Sequence, residues 1–226
     1  MKVDIKKFDF QSNRIIDSLG IADRELFLKS GSKLNFKKGK LIFYEGGIPT
    51  GIFLVLSGKA KIYKTGLDGK DQIFYIYKAG DLLGYHPVLC NEVYEDSCEA
   101  LENCHVLFIS KSTFENLLKK ISSLNLLLLQ NMSHEFGVMV NTITVLAHKP
   151  LRERLALYLL ILRERYDGKE ITVPREDLAN IIGTARESLG RLLKEFKGDK
   201  LIEIKQRAIF LTDSNKLQRI ASSEFY

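Results

Sequence analysis

From Ser32 to Ile109 the chain breaks into short β-rich runs separated by glycine-bearing turns. The runs are Leu41–Tyr44, Gly51–Leu56, Ala60–Lys64, Gln72–Tyr77 and His105–Ile109. Around them fall Lys38-Gly39, Gly46-Gly47, Ser57-Gly58, Asp68-Gly69 and Ala79-Gly80-Asp81. Short strands punctuated this often read as an antiparallel sandwich or barrel. Asp68-Gly69 between alternating runs suits a tight hairpin, because the favoured two-residue turn needs positive φ at its central residues. No helix of useful length fits in this stretch. The expectation is an antiparallel β-roll of the double-stranded β-helix or jelly-roll type.

The flanks have a different period. Ile15, Ile16, Leu19, Leu26 and Phe27 repeat at helical spacing, which predicts one or two short helices over residues 1–30, packed as a lid on the roll. Phe114, Leu117, Leu118 and Ile121 predict a helix over 111–121. A longer helix is expected from about Ser123 to Ala147. Its positions Leu128, Met132, Phe136, Met139, Ile143 and Leu146 step by four, four, three, four and three, the seam of a coiled coil. Gly137 inside it costs roughly 1 kcal/mol in propensity, tolerable if close backbone approach is wanted. Leu127, Leu129, Val138 and Val140 are apolar too, so the helix is expected to pack both on its own roll and on a second copy. That implies a homodimer.

His148-Lys149-Pro150 ends the helix, since proline disfavours the helical conformation in the residue before it. Leu151–Tyr166 follows as an amphipathic helix with Leu155, Leu159 and Leu162 inward. Asp167-Gly168 turns into a short strand at Ile171–Val173. Pro174 is placed in the first turn of the next helix, with Glu176 and Asp177 at its dipole-favoured start. Then comes Ile181-Ile182-Gly183-Thr184-Ala185-Arg186, a glycine-bearing turn between two short helices and so a helix-turn-helix signature. The second helix carries an apolar stripe on one side and Arg186, Glu187 and Arg191 on the other. Arginine matches the two acceptors on a guanine edge, and glutamate can accept from a cytosine amine. Leu201–Lys205 and Ala208–Thr212 form a strand pair with Gln206-Arg207 at its tip, and Asp213 caps a last helix. The predicted class is α+β: residues 1–122 a sensor roll with N-terminal helices, 123–147 a dimerisation helix, and 148–226 a winged helix-turn-helix.

With 226 residues, 45% of them hydrophobic, the chain can bury one large core or two ordinary ones. The net charge of +6 is compatible with a polyanionic partner. Arg186–Arg207 holds seven basic and four acidic residues, a local +3. Three cysteines, Cys90, Cys98 and Cys104, suit a reducing compartment better than a disulfide scaffold. Residues 1–10 are charged and lack the apolar core of a signal peptide, and Leu124–Leu129 is too short to span a bilayer. The expectation is a soluble cytoplasmic protein with no membrane partner.

A β-roll, a long helix and a winged helix-turn-helix, in that order, resemble the CRP/FNR family of bacterial transcription regulators. Lys38-Gly39-Lys40-Leu41-Ile42-Phe43-Tyr44-Glu45-Gly46 and the run Phe53–Tyr63 resemble that family's opening strands and turns. Ala79-Gly80-Asp81-Leu82-Leu83-Gly84 resembles its phosphate-cassette entrance. Glu153-Arg154-Leu155-Ala156 and Arg175–Phe196 resemble its DNA-binding half. The resemblance implies a homodimeric regulator of transcription whose partners are double-stranded DNA, RNA polymerase and a small-molecule effector. By resemblance to the family's catabolite-activator branch, Arg186 and Arg191 would read guanines, Glu187 a cytosine, and Lys194 the backbone. Arg175 would contact a phosphate, and Ser188 is either a surface residue or phosphate-directed. Ala185 and Pro174 stand where that branch has hydroxyl residues, so each removes a phosphate donor. The implied target is a palindrome with half-sites of TGTGA type.

The sensor half departs from the family's cyclic-nucleotide binders. Those place a glutamate just after the cassette glycine and an Arg-Ser pair about a dozen residues later. Here Tyr85 follows Gly84, and Asp96-Ser97 takes the place of the pair. A carboxylate repels a cyclic phosphate and offers no bidentate donor, so cyclic AMP is not the expected effector. Candidate pocket residues are Tyr85, Ser97, Leu82 and Leu83, with Asn141 and Thr142 from the long helix, and each reads equally as core or interface packing. Two alternatives stand beside an effector-switched regulator. One is an effector-independent regulator with a vestigial pocket. The other is a haem or thiol redox sensor using His86, Cys90, Cys98, Cys104 or His105. The iron–sulfur branch of the family needs four cysteines, mostly near the N-terminus, and none here precedes Cys90. His86, His105, His134 and His148 are too scattered for a cupin-type metal site. No nucleophile elbow, P-loop or paired-carboxylate motif occurs. Neither an enzyme, a metal nor a cofactor is expected.

Overall fold

The computed structural model describes Val3–Ser222. The chain divides into two compact units: Phe10–Gly69 with Phe74–Phe136, and Gly137 onward with Lys70–Ile73 and the N-terminal segment through Asp9. The division falls inside the long helix, at Phe136/Gly137, whereas the sequence reading places boundaries at residues 122 and 147.

The first unit opens with short helices α1 (Asn13–Asp17) and α2 (Ile21–Lys29). Strands β1 (Ser32–Phe36), β2 (Leu41–Phe43), β3 (Gly51–Ser57), β4 (Ala60–Thr65), β5 (Asp71–Tyr77) and β6 (Leu82–Leu83) follow. A six-residue helix α3 (Tyr85–Cys90) precedes β7 (Ser97–Ala100) and β8 (Cys104–Ser110). The strands form two four-stranded sheets, ordered β1-β8-β3-β6 and β2-β7-β4-β5, with antiparallel pairing. This is the expected roll. All five predicted runs are strands, and β1, β6 and β7 are additions. β1 is almost wholly exposed, so no buried alternation marks it, and its ladder with β8 rests on main-chain pairing. β3 lies between β8 and β6 and buries five residues in succession from Gly51. A Cβ at Gly51 would overlap the Ile109 carbonyl oxygen, so this close strand approach requires glycine.

Ile15, Ile16, Leu19 and Phe27 join Ile52, Leu54, Leu82, Tyr85 and Leu107 in one core, which makes the N-terminal helices the expected lid. Leu26, expected inward, is exposed. Helix α4 (Lys111–Lys120) closes this core with Phe114 and Leu117, its start capped by the Ser110 side chain accepting from the Thr113 N–H.

Helix α5 (Ser122–His148) corrects the expected seam. Leu128, only 3% exposed, and Met132 belong to the roll's own core, whereas Phe136 is 73% and Ile143 60% exposed. The exposed apolar stripe runs instead through Leu129, Phe136, Val140 and Ile143, with Leu126 beside it. Those residues step by seven, four and three, as good a heptad spacing as the predicted one. Two apolar faces share this helix, and periodicity alone does not say which one the roll covers.

In the second unit α6 (Leu151–Arg165) precedes α7 (Arg175–Ile182), α8 (Arg186–Gly198), the hairpin β9 (Ile202–Lys205) with β10 (Ala208–Leu211), and α9 (Ser214–Ala221). α6 is not amphipathic as expected. Ala156, Leu157, Tyr158, Leu160 and Ile161 are buried along with Leu155, Leu159 and Leu162, because α9 and α7 cover further faces. The predicted strand at Ile171–Val173 is a single bridge from Ile171 to Ile209. Pro174 is the residue before α7 rather than within its first turn. No helix among the described residues is long and apolar enough to cross a membrane.

Candidate nucleic-acid interface and sensor site

The turn between α7 and α8 depends on Gly183, whose φ of 66° and ψ of 56° are left-handed and strained for a side chain. The Gly183 and Thr184 N–H groups both donate to the Ala179 carbonyl, which ends α7 and redirects the chain. Helix α8 buries Leu189, Leu193 and Phe196, spaced by four and three, and so turns the opposite face outward. Arg152 on α6 fixes its far end: the guanidinium pairs with Glu195, reaches Asp199 Oδ2 at 2.8 Å, and lies 5.2 Å from the Phe196 ring centre.

Arg186, Glu187, Arg191 and Lys194 are exposed along the outward face. Arg186 comes no closer than 3.9 Å to Glu176, and both side chains are largely in solvent, so the contact is worth little. The Arg191 Nη2 donates to Ser188 Oγ at 3.3 Å, which assigns Ser188 a local partner. Arg175, Arg186, Lys194 and Lys197 line one groove of about 440 Å³ with Gly190, closed on the wing side by Ile204 and Gln206. No acidic residue among the described residues lines it. Arg175 is half-buried; its Nη1 is shielded from solvent without a hydrogen-bond partner, and burial lowers its pKa. A buried guanidinium nitrogen left unpaired is costly, and an entering anion relieves that cost. Lys197 and Gln206 escaped the sequence reading as site residues. The signal for Lys197 was its spacing, one turn beyond Lys194 on the same face.

The sensor residues behave differently. Gly84, left-handed at φ 78°, turns the chain into α3, and Tyr85 is 1% exposed. Asn131 Nδ2 donates to the Tyr85 hydroxyl and to Glu135 Oε1, both at 2.9 Å. His86 Nε2 lies 2.7 Å from the buried Glu135 Oε2, a close contact that lacks hydrogen-bond alignment. Burial, then the nearby Glu135, pushes the Tyr85 hydroxyl far up, so it stays protonated. Leu82 and Tyr85 are core residues, and Leu83 is fully buried. Ser97 Oγ accepts from the Glu45 N–H at 3.0 Å. Burial pushes the Asp96 carboxyl up to about 6, against the opposing effect of His86. Asn141 and Thr142 fall in the other unit, where Asn141 donates to the Lys7 carbonyl and Thr142 partners Tyr158. The helix residues that meet Tyr85 are thus Asn131 and Glu135, which the sequence reading missed. Polar side chains one turn apart on the face of Leu124 and Leu128 were the available signal.

A roll ending in a short cassette helix, a long exposed-stripe helix and a basic-faced winged helix define a DNA-binding regulator. Residues 33–121 match the cyclic nucleotide-binding domain model, and residues 153–220 match the Crp-like helix-turn-helix domain model. Over 198 residues the chain is 28% identical to electron transport regulator A of Shewanella oneidensis and 27% to the fumarate and nitrate reduction regulatory protein of Yersinia pestis. In both cases the match spans 84% of this chain and 79% of the relative. The FixK2 structure from Bradyrhizobium japonicum superposes with a TM-score of 0.78 at 20% identity, covering 86% of this chain and 98% of that one. The regulator CLP of Xanthomonas campestris, described as responsive to c-di-GMP, gives 0.74 at 19% identity over 86% and 100%. The chain belongs to the CRP/FNR family of transcription regulators.

Proposed function

We propose that this regulator binds, as a homodimer, palindromic DNA with TGTGA-type half-sites, under an effector other than cyclic AMP. The observation that carries the DNA reading is the groove beside α8, with four cations along its lining and no acid. Arg186 and Arg191 read guanines, Glu187 a cytosine, and Lys194, Lys197 and Arg175 meet phosphates. Ser188 acts through Arg191 by holding its guanidinium.

The exposed stripe of α5 supports the dimer. Leu129, Phe136, Val140 and Ile143 present large apolar side chains to solvent at heptad spacing, and a second copy of the same helix buries them. Two recognition helices then meet half-sites about one DNA turn apart. The effector acts by favouring one arrangement of the paired α5 helices, and the bound dimer works with RNA polymerase in the cytoplasm. Against cyclic AMP stand the half-buried Asp96 carboxylate and the Tyr85 side chain, which is packed in the core where the nucleotide binders have a glutamate.

Selection from a random duplex pool tests the reading. The expected winner is an inverted repeat of TGTGA-like half-sites, with affinity falling steeply as salt rises. An unrelated half-site, or a winner unchanged by Arg186→Ala, contradicts it.

A further inference from the structure

On the roll unit, α1 and α5 bound a cleft of about 290 Å³ that has no part in the DNA reading. Ile15 and Leu127 supply its apolar side, and Arg14, Gln11, Gln130, Asn131 and His134 its polar lining. No carboxylate among the described residues lines it. The acid nearest to Arg14 in sequence, Asp17, is already engaged: its Oδ1 pairs with Arg24 at 3.2 Å and its Oδ2 accepts from Asn13 at 3.1 Å. Arg14 therefore brings to the cleft a guanidinium with no acidic partner among the described residues. Such a fork suits a carboxylate, which it can hold through two parallel hydrogen bonds.

The remaining lining narrows the ligand. Gln130 and Asn131 can each donate and accept, and Asn131 already commits its Nδ2 to Tyr85 and Glu135, which leaves its carbonyl oxygen as an acceptor. A ligand hydroxyl satisfies that acceptor, and a short apolar body covers Ile15 and Leu127. One guanidinium is a weak match for a dianionic phosphate but balances a single carboxylate. The volume sits near the lower end of the roughly 300–1,000 Å³ that ligand pockets span. Gln11, also in the lining, is buried and holds a left-handed φ of 56°, a conformation that costs a non-glycine residue energy and recurs at functional sites.

We propose that the α1–α5 cleft is the effector site of this regulator and takes a small organic hydroxy acid; this rests on the reading of the protein as effector-controlled. The route from cleft to switch is short. Asn131 joins the cleft to the cassette, since its amide holds the Tyr85 hydroxyl at the start of α3 and, through Glu135, the side chain of His86. A ligand that engages Asn131 acts directly on α5. At about 100° per residue, the cleft face of α5 lies roughly 150° around the helix from the stripe of Leu129, Phe136 and Val140, so a partner helix seated on that stripe leaves the cleft open.

The test uses full-length protein without DNA, titrated with 3-hydroxybutyrate, 2-hydroxyisocaproate and inorganic phosphate and followed by thermal shift and ligand-observed NMR. The expected result is saturable binding of at least one hydroxy acid, weakened about tenfold by Arg14→Gln or Gln130→Ala and unchanged by Lys29→Gln. Three results overturn the proposal: no saturable response to either acid, a response that survives Arg14→Gln, or phosphate binding as tightly as the acids. Because no DNA is present, failure here is separable from failure of the half-site selection. Hydroxy-acid binding that leaves the affinity for the selected DNA unchanged overturns the effector role.

Discussion

Along α8 the charged side chains stand outward with few partners, while around α3 the polar side chains lie against one another in a buried cluster. Arg186 has only a distant glutamate, and Lys194 and Lys197 line a groove without acids. Tyr85, Asn131, Glu135 and His86, by contrast, form a closed chain of contacts between 2.7 and 2.9 Å. A surface that must neutralise a polyanion keeps its cations uncommitted, because a resident carboxylate would have to be displaced first. A cassette whose Tyr85 is packed into a filled core offers a nucleotide little. The two halves of this regulator therefore differ in what they still ask of a partner. The α8 face asks for an anion, and the cassette asks for nothing that a cyclic nucleotide brings.

The largest effect that sharpens this contrast concerns the stripe linking the two units. Phe136→Asp combined with Ile143→Asp should convert the proposed dimer to a monomer in sedimentation and lower affinity for a full palindrome by at least about 100-fold, while leaving half-site preference in place. A double variant that stays dimeric would move the interface elsewhere. Next in size, Arg186→Ala and Arg191→Ala should each cost about 1–3 kcal/mol of base discrimination, seen as relaxed preference at single positions in competition binding. Lys197→Ala should weaken all sequences alike and reduce the salt slope by about one.

Changes on the cassette side should leave DNA preference untouched and alter stability instead. Asp96 is held near 6 in the fold, mainly by burial, against 3.8 when free. Between about pH 4 and 6 the folded chain keeps a proton that the unfolded chain has released, so its contribution to stability falls as pH rises through that window and is smallest above it. Asp96→Asn should flatten this decline and stabilise the protein by about 1–2 kcal/mol at pH 7, after allowance for solvent screening, in denaturant melts across pH. Tyr85→Phe should cost about 1 kcal/mol by leaving Asn131 and Glu135 short of a partner. The smallest change joins the two halves of the contrast: a Cβ at Gly190 meets nothing within 4 Å, so Gly190→Ala should stabilise α8 by up to about 1 kcal/mol in thermal melts while weakening DNA binding several-fold.

Much of this was legible from residue types. Glycine turns marked the strands whose side chains alternate or are buried, and Gly183 with Arg186, Glu187 and Arg191 marked the helix-turn-helix, because those signals are local. β1 left no such mark, since Ser32–Phe36 is a strand through main-chain pairing alone. The face of α5 was misplaced because Leu128 and Leu129 are equally apolar, and only the roll's packing decides that the first turns inward. The sequence does not set Asn131 and Glu135 above Asn141 and Thr142, because which turn of a long helix meets the cassette is a tertiary fact. The place of the helix-turn-helix thus survives without coordinates, and the packing around Tyr85 does not.

One measurement meets the central claim directly: fluorescence anisotropy of a TGTGA-type palindrome titrated with the protein, with and without cyclic AMP, against a scrambled duplex. Preference for the palindrome by at least about 1,000-fold, the same in both conditions, is what a reading head separated from nucleotide sensing predicts. Preference that emerges only with cyclic AMP contradicts it.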